Sequence, residues 1–203
     1  MNRRTFSSMA ALGVASISVV PSSHASSAPV SSGKELSRLL AANQAVREAH
    51  TIDGAFDAWL QITRTTFPVV QATALTVRNE PGGDPRPGTV RRIYSTVPQS
   101  YPVGGWKKLG GSDWADTVLI RREVLVASGK QALAYYFPDH ELLSSLGAVT
   151  LVNVPVVSCG QVLGAFAFFC DRPLTRAAVT DELILLTSLA APLFVAPADE
   201  TRS

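Results

Sequence analysis

Hydrophobic residues recur along this chain at two different spacings, and the changes of spacing predict its secondary structure. Two stripes with helical spacing come first, and the second begins at Thr51 or Asp53. Such spacing gathers apolar side chains on one side of a helix, where they pack on a core. We therefore expect the folded part of the chain to begin with two helices. The first stripe consists of Leu36, Leu39, Leu40 and Val46, and the second of Ile52, Phe56, Trp59 and Leu60.

Segments with strand composition follow. Val69 to Arg78 is rich in β-branched residues, and Thr89 to Thr96 has the same character after a loop of Gly, Pro and Asp, which indicates a hairpin. Val97 to Gly111 contains two prolines and four glycines, so we expect irregular backbone there. Three short elements are then predicted: a helix from Ser112 through Ile120, a strand over 123–127 and a helical turn opened by Pro138 and Asp139.

A second hairpin carries the clearest pattern in the chain. Ala148 to Val157 and Gln161 to Cys170 are apolar strands joined by a short turn. The return strand is apolar on both faces, so it must be covered on both sides. Thr175 then caps a long last helix. The order of elements predicts an α+β fold with a mostly antiparallel central sheet in a three-layer domain.

The second hairpin also carries a resemblance to a known family. The strand Leu151–Val156 contains a Val-Pro step, and the return strand begins with the Leu163-Gly164 step. These two steps, followed by an amphipathic closing helix from Thr175, resemble the second half of a GAF domain. The resemblance covers residue 34 to about Phe194, with the helices in the expected order.

A GAF-like fold implies a particular arrangement of layers. Helices pack on one face of the central antiparallel sheet, and short helices and loops roof a small-molecule pocket on the other face. By this resemblance, the segments Tyr94–Ile120 and Tyr135–Leu143 form the roof, and the GAF-like domain spans residues 34–195. The aromatic residues and glycines in the two segments agree with that role.

The first 25 residues predict export. Arg3 and Arg4 precede an uncharged stretch that ends at Val20. This stretch is shorter than the roughly 20 apolar residues that span a bilayer, and it suits a cleavable signal peptide over residues 1–25. The arginine pair followed by Phe6 resembles a twin-arginine signal. We therefore expect a periplasmic or secreted protein after signal cleavage.

Loss of this segment changes the charge balance. The whole chain has 18 Lys+Arg and 16 Asp+Glu residues, and without Arg3 and Arg4 the two classes are equal at 16. Because a nucleic-acid partner normally requires a concentrated basic surface, the sequence predicts none. No other segment is long and apolar enough to cross a membrane. The mature chain is expected to contain a Ser-rich linker at 26–33, one domain and an acidic tail at 196–203.

Two polar residues are candidates for chemistry. Asn153 lies among apolar neighbours on one face of a central strand. A buried amide must be hydrogen-bonded, so its partner is either a ligand or a neighbouring loop. His140 follows Asp139 at a helix start, and histidine is the residue type most often used as a catalytic acid or base. A surface histidine at the end of a helix is the alternative interpretation.

Aromatic residues with polar tips are candidates for a pocket wall. Tyr94, Tyr101, Trp106 and Trp114 lie in or beside the irregular segment, and such rings combine a flat apolar surface with a hydrogen-bonding group. Core packing is the alternative for each of them. Lys107 would suit a carboxylate ligand, with simple solvent exposure as its alternative. The sequence has no metal-ligand spacing, nucleophile-elbow serine or phosphate-binding glycine loop, so it predicts no metal and no cofactor.

The two cysteines are not expected to pair with each other. Cys159 lies in the turn of the second hairpin, and Cys170 lies at the far end of the following strand. About eleven residues of strand span about 35 Å, whereas disulfide partners need Cα atoms within about 7 Å. Residues 97–146 contain no cysteine. This argues against the free methionine sulfoxide reductases, which resemble GAF domains and use cysteines in the roof.

Two functional hypotheses follow. In the first, the pocket binds a small aromatic or cyclic ligand, and a signal passes through a partner or through a homodimer formed by the terminal helices. In the second, the pocket belongs to an enzyme that acts on a small aromatic acid. The segments Arg92–Thr96, Tyr101–Gly105 and Phe137–His140 look similar to the hydroxylaminobenzoate lyases. That resemblance implies that His140 moves protons, that Lys107 holds a carboxylate, and that Trp106 and Tyr94 stack on the ring of the ligand.

Overall fold

The computed structural model describes residues 33–78, 89–108 and 111–195, which belong to one compact unit. The predicted signal peptide, the linker up to position 32 and the acidic tail lie outside the described residues. The described residues form seven α-helices and six strands. The strands are β1 (Val69–Arg78), β2 (Thr89–Ser95), β3 (Gly104–Lys108), β4 (Leu125–Ser128), β5 (Thr150–Ser158) and β6 (Gln161–Cys170). The helices are α1 (Gly33–Glu48), α2 (Ile52–Arg64), α3 (Asp113–Ala115), α4 (Gly129–Tyr136), α5 (His140–Ser145), α6 (Asp181–Leu189) and α7 (Pro192–Val195).

The six strands form one sheet in the order β3-β2-β1-β6-β5-β4. Every pair of neighbouring strands in this sheet is antiparallel. Both predicted hairpins are present, as β1–β2 and β5–β6, and they meet where β1 pairs with β6. The predicted α+β fold with a central antiparallel sheet is therefore confirmed.

Four helices cover one face of the sheet, which we call the helix face. Most of the largest buried side chains lie here, and α1, α2, α6 and α7 pack on them. Trp59 of α2 stacks on Phe166 of β6 with ring centroids 4.5 Å apart. The indole N–H of Trp59 donates a 2.8 Å hydrogen bond to the backbone oxygen of Leu186 in α6. This bond ties two of the covering helices together inside the core.

Short elements cover the other face, which we call the roof face. The roof consists of α3, the π-helical turn Asp116–Ile120, α4 and α5. Leu133 of α4 and Leu143 of α5 pack in one buried cluster with Leu151 and Phe169 of the sheet. The roof is thus anchored to β5 and β6 by a small apolar core of its own.

Local capping confirms two predicted helix starts. The side chain of Thr51 accepts a 3.1 Å hydrogen bond from the backbone N–H of Gly54 at the start of α2. The Ser112 hydroxyl accepts one of 3.2 Å from the backbone N–H of Ala115 in α3. Each bond satisfies a helix N–H group that has no partner within the helix.

Several predicted elements differ from the structure. Part of the irregular segment, Gly104–Lys108, is the edge strand β3, since it pairs with β2. Helix α4 has little apolar periodicity and was not predicted. The expected long last helix is instead a 3₁₀ helix, Arg176–Ala178, followed by α6, whose N-cap is Thr180 and not Thr175. The predicted stripe of α1 is only partly buried, because Leu36 and Leu40 are 54% and 59% exposed.

Within the described residues, no helix combines the length and hydrophobicity that crossing a bilayer requires. Both cysteines are free thiols: Cys159 is exposed in the β5–β6 turn, and Cys170 is buried at the end of β6. Burial raises the pKa of the Cys170 thiol to about 12, so this thiol stays protonated at neutral pH.

Candidate functional site

The sheet and its roof enclose a cavity of about 490 Å³, which we call the main cavity. Its floor is formed by four strands, each of which contributes two residues spaced two apart. Successive side chains of a strand point to opposite faces, so this spacing keeps both residues on the roof face. The floor residues are Thr73, Leu75, Val90, Arg92, Leu151, Asn153, Ala167 and Phe169. A cavity of this size falls in the range of small-molecule sites.

The walls of the main cavity come from three segments of the chain. Tyr101 contributes one wall, and the start of α3 contributes Ser112 and Trp114. Residues 134–139 supply the third wall, from the end of α4 to the start of α5. Most of the lining side chains are apolar, so a few polar groups decide how a ligand would be oriented.

Asn153 and Trp114 meet across the main cavity. Asn153 is 2% exposed, and its Oδ1 accepts a 3.1 Å hydrogen bond from the indole N–H of Trp114. An indole nitrogen only donates, so the amide oxygen must face it and the amide NH₂ must point elsewhere. The buried Nδ2 atom has no hydrogen-bond partner. The floor therefore carries one buried donor that a ligand acceptor would satisfy.

Arg92 is the cation of the main cavity. One of its amino groups donates a 3.2 Å hydrogen bond to the backbone oxygen of Pro102. Its guanidinium carbon lies 4.8 Å from the centre of the Tyr101 ring. The buried Nε atom has no hydrogen-bond partner. Burial lowers the pKa of Arg92, an effect that Tyr101 and Asp139 partly oppose.

Tyr101 links Arg92 to the opposite wall. Its hydroxyl donates a 2.5 Å hydrogen bond to Oδ2 of Asp139, the residue before α5. Burial, followed by this hydrogen bond, raises the pKa of Tyr101 well above its usual value. The hydroxyl is therefore neutral at physiological pH and acts as a donor to the carboxylate. Arg92, Tyr101 and Asp139 form one ordered chain of contacts along the cavity wall.

A second tyrosine joins two roof segments. The hydroxyl of Tyr135 in α4 donates a hydrogen bond to Asp113 at the start of α3. Tyr135 also lines the main cavity although most of its side chain is exposed. The bond raises the pKa of Tyr135. Tyr135 thus lies at the solvent side of the cavity, where α3 and α4 come together.

Lys107 lines a smaller neighbouring cavity of about 320 Å³ instead of the main cavity. The two cavities share Leu75, Val90 and Arg92. Because Lys107 pairs with Val90 in the sheet, it lies beside the shared wall on the edge strand β3. Lys107 is exposed. The basic residue that lines the main cavity is Arg92 and not Lys107.

Tyr94 lies on the helix face, away from the main cavity. A strict alternation along β2 would place it on the same face as Arg92. The register between β1 and β2 shifts by one residue, because Arg92 pairs with Leu75 and Tyr94 pairs with Ala74. This β-bulge turns Tyr94 toward α2, where its hydroxyl donates a 2.7 Å hydrogen bond to Asp57. The expected place of Tyr94 beside a ligand is therefore corrected.

Trp106 also lies outside the main cavity. It is 37% exposed on the edge strand β3. The guanidinium carbons of Arg78 and Arg91 lie 4.1 Å and 5.1 Å from its ring centre. Since Arg91 and Arg92 are neighbours in β2, they point to opposite faces, and Trp106 accompanies Arg91. The expected stacking of Trp106 on a ligand in the main cavity has no support in this geometry.

His140 begins α5 and does not line the main cavity. Its Nδ1 lies 3.3 Å from the backbone oxygen of Phe137, a contact within its own turn. The catalytic role that was expected for His140 requires a side chain that lines the cavity. The preceding residue, Asp139, lines it, and His140 does not. In the ranges that the structure describes, no group of three His, Cys, Asp or Glu side chains is arranged to hold a metal ion.

The structure thus brings together three of the expected residues, Tyr101, Trp114 and Asn153. Sequence reasoning missed Arg92 and Asp139 as parts of the same cavity. A signal for Arg92 was available, because it belongs to a pair of charged residues, Arg91 and Arg92, inside a strand that leads into the pocket segment. The signal for Asp139 was hidden, since a residue just before a helix normally serves as a cap.

Comparison of structures identifies the fold. The GAF domain of an Acinetobacter phosphoenolpyruvate-protein phosphotransferase superposes with a TM-score of 0.59 at 16% identity, over 80% of this chain and 93% of that domain. The GAF domain of a two-component sensor histidine kinase from Bacillus halodurans gives 0.55 at 15% identity, over 72% and 95%. The corresponding domain of a Coxiella burnetii phosphotransferase gives 0.53 at 18% identity, over 79% and 90%. The chain therefore has the GAF fold, with its sheet, helix layer and roof.

No protein-family model and no curated protein matches the sequence. At 15–18% identity, the similarity to these solved structures concerns the fold and leaves the ligand of this chain open. Any statement about function must therefore rest on the residues of the main cavity.

Proposed function

We propose that this protein binds a small organic molecule in the main cavity. The observation that carries the proposal is the unpartnered Nδ2 atom of Asn153, which is buried in the cavity floor. A buried donor without a partner costs about 1–3 kcal/mol, and the donor-only indole of Trp114 prevents the amide from turning around. A bound acceptor would remove this cost.

The walls favour a flat apolar body for the ligand. Trp114, Tyr136 and Phe137 of the walls present aromatic surface to the main cavity, and Phe169 adds to it from the floor. Aromatic side chains bind flat rings well, because stacked and edge-on contacts add to the burial of apolar area. A small aromatic or cyclic molecule is therefore the ligand class that we propose.

Filling the cavity provides a direct test. Ala167 lies at the centre of the floor between Thr73 and Asn153, so Ala167→Leu would occupy the space of a ligand. We expect small aromatic and alicyclic compounds to raise the melting temperature of the wild-type protein by mass action. The same compounds should have no effect on Ala167→Leu. Ala177→Leu, the same change at an exposed position of the 3₁₀ helix, is the matched control.

Binding at another place would give a different pattern. If compounds stabilise Ala167→Leu as much as the wild-type protein, the main cavity is not their site. If a broad panel stabilises none of the variants, the proposal fails. Product analysis of each stabilising compound after long incubation separates binding from turnover.

We favour binding over catalysis for this cavity. The enzymatic alternative relied on His140 as a proton carrier and on Lys107 as a carboxylate holder, and neither residue lines the main cavity. The solved GAF domains named above belong to a sensor kinase and to phosphotransferases. A ligand-binding module is the role that accords with the residues actually present.

The export predicted from the first residues forms part of the proposal. Arg3 and Arg4, the apolar stretch that follows and the small residues up to Ala25 support cleavage after position 25. Fractionation and N-terminal sequencing test this, and a cytoplasmic protein that retains Met1 would contradict it. Replacement of both arginines by lysine should block export if the twin-arginine route is used.

The terminal helices support a further part of the proposal, a homodimer. Helices α1 and α6 are joined by Arg38 and Glu182 at 2.6 Å, and both expose leucines, Leu36 and Leu40 in the first and Leu185 in the second. Analytical ultracentrifugation should show a dimer that Leu36→Lys with Leu40→Lys dissociates. A monomeric wild-type protein at high concentration would contradict the dimer.

A further inference from the structure

The guanidinium of Arg92 has few hydrogen-bond partners and no direct ion-pair partner among the described groups around it. Its Nε–H is buried and unpartnered, and its only hydrogen bond found among the described residues goes to the neutral backbone oxygen of Pro102. The ion pairs of the described residues involve other groups and do not include Arg92. The guanidinium is only partly buried, but burying its Nε–H without an acceptor is unfavourable. Within the described residues, Arg92 therefore places a positive charge without a direct ion-pair partner at one side of the cavity floor.

The nearest acidic residue along this wall is already engaged. Asp139 accepts the hydroxyl hydrogen of Tyr101 through Oδ2, and the Tyr101 ring contacts the Arg92 guanidinium. Asp139 therefore acts on Arg92 through space, and it contributes to the electrostatic attraction that opposes the lowering of the Arg92 pKa. It does not supply the two acceptor oxygens to which a guanidinium edge donates. The Nε–H on that edge has no acceptor among the residues that the structure describes, and Arg92 lines the main cavity.

The second free donor lies across the floor. Asn153 of β5 pairs with Ala167 of β6, which pairs with Thr73 of β1. Arg92 of β2 pairs with Leu75 of β1. From β5 to β2 there are three strand spacings, which place the two backbones about 14 Å apart. The long arginine side chain shortens this gap. A ligand that reaches both donors needs one polar group at each end of a compact body.

We infer that the ligand is a small carboxylic acid, whose carboxylate binds Arg92 and whose apolar body leads to a second acceptor on the Asn153 amide. This inference rests on the proposed function and names the chemical class of its ligand. A carboxylate has two oxygens in one plane, which match the Nε–H and the adjacent amino group of an arginine. The body then lies on Ala167 and Leu75, between the aromatic walls.

A carboxylate fits this site better than a phosphate group does. One guanidinium balances a single negative charge, whereas phosphate carries a larger charge that proteins hold with several donors and often with a helix N-terminus or a glycine-rich loop. The lining of the main cavity provides one cation, Arg92, and one acidic residue, Asp139, which already accepts a hydrogen bond from Tyr101, and it is otherwise mainly apolar. The second acceptor of the ligand is a neutral oxygen or nitrogen, because Asn153 offers an uncharged donor.

Matched pairs of compounds test the inference. The panel consists of small aromatic and alicyclic carboxylic acids, such as benzoate and 4-hydroxybenzoate, each together with its primary amide. Titration calorimetry and NMR titration measure the affinity of each compound for the wild-type protein. We expect each acid to bind more tightly than its amide, and 4-hydroxybenzoate to bind more tightly than benzoate because its hydroxyl reaches Asn153.

Arg92 variants assign the effect to one side chain. Arg92→Gln should weaken acid binding by about ten- to a hundredfold, the range of a hydrogen bond to a charged group, and should leave the amides nearly unchanged. Arg92→Lys keeps the charge but not the planar fork, so it should recover only part of the loss. Arg91→Gln is the matched control, because its side chain contacts Trp106 on the opposite face of the same strand. It should bind the acids like the wild-type protein.

The outcomes separate this inference from the proposed function. If amides bind as tightly as acids, or if Arg92→Gln retains full acid affinity while it is folded by circular dichroism, the cavity binds ligands but the carboxylate assignment is wrong. If inorganic phosphate competes with the acids at equal concentration, the preference for a carboxylate is wrong. If neither the acids nor the amides bind to the wild-type protein, and the compound panel also fails to distinguish the wild-type protein from Ala167→Leu, both proposals fail.

Discussion

The indole N–H of Trp114 donates a 3.1 Å hydrogen bond to Oδ1 of Asn153 and so joins the roof to the floor of the main cavity. The two residues are far apart in the chain, and each lies in an element whose position is fixed separately. The Ser112 cap holds the start of α3, while β4 and β6 hold β5 on both sides. The contact therefore sets both the height of the cavity and the orientation of the Asn153 amide.

Removal of the Trp114 donor should destabilise the protein. In Trp114→Phe, the buried Asn153 amide loses its one observed partner, which should lower the free energy of unfolding by about 1–3 kcal/mol. Urea unfolding monitored by circular dichroism measures this. Trp106→Phe, at a partly exposed position on β3, should change the value by less than about 0.5 kcal/mol. Equal losses in the two variants would show that ring size, and not the hydrogen bond, determines the effect.

Gly164 should not tolerate a side chain. A Cβ atom at this position would lie 2.0 Å from the backbone oxygen of Leu75 and 2.6 Å from the Phe194 ring. Because the backbone of β1 cannot withdraw without breaking the sheet, Gly164→Ala should cost about 3 kcal/mol of unfolding free energy. Gly111→Ala is the control, since a Cβ there meets no atom within 4 Å. A melting temperature for Gly164→Ala equal to that of the control would contradict this account.

The close approach at Gly164 gives a physical reason for the glycine of the Leu163-Gly164 step, one of the two steps that resemble a GAF domain. The Leu-Gly step at the start of β6 coincides with a register shift between Val156 and Val157 of the partner strand. At this bulge, the extra residue Leu163 packs toward the helix face and Val162 packs on the roof face. Simple alternation predicts the reverse for both residues. The pattern therefore predicted the strand correctly but not the faces of its first residues.

Bulges also limited how well the residues of the candidate site could be predicted from simple alternation. Hydrophobic periodicity was sufficient to place Asn153 among apolar neighbours on one face of a central strand, because β5 is regular from Thr150 to Val156. It was insufficient for Tyr94, since the bulge in β2 depends on how β1 pairs with it. Arg92 and Asp139 meet through Tyr101 only after distant segments come together. Strands and helices follow from local patterns, whereas the composition of the cavity depends on register.

The two cysteines should differ strongly in reactivity. Cys159 is exposed in the β5–β6 turn, and Cys170 is buried with its thiol pKa raised to about 12. Because the thiolate is the reactive form, a thiol reagent should label only Cys159 in the native protein and both residues in urea. Intact mass measurement counts the labels, and Cys159→Ser should take none before unfolding. A Cys159–Cys170 bridge in unreduced protein would contradict the strand assignment.

Two buried tyrosines should make the protein sensitive to alkaline pH. Burial, followed by hydrogen bonds to Asp57 and Asp139, raises the pKa of Tyr94 and of Tyr101 in the folded state. In the unfolded chain, the pKa of a tyrosine is about 10. The folded state thus holds these protons more tightly, so the stability that they contribute is complete below about pH 10 and is lost as the pH rises toward the folded pKa.

This sign predicts the shape of the stability profile. Above pH of about 10, each of the two tyrosines should lower the free energy of unfolding by up to about 1.4 kcal/mol per pH unit. Urea unfolding from neutral to strongly alkaline pH measures the slope. Tyr94→Phe and Tyr101→Phe should each reduce the alkaline slope, while both lose a hydrogen bond to a carboxylate and are less stable at neutral pH. If the double variant keeps the wild-type slope, the alkaline loss arises from other groups and the role assigned to these two hydroxyls is wrong.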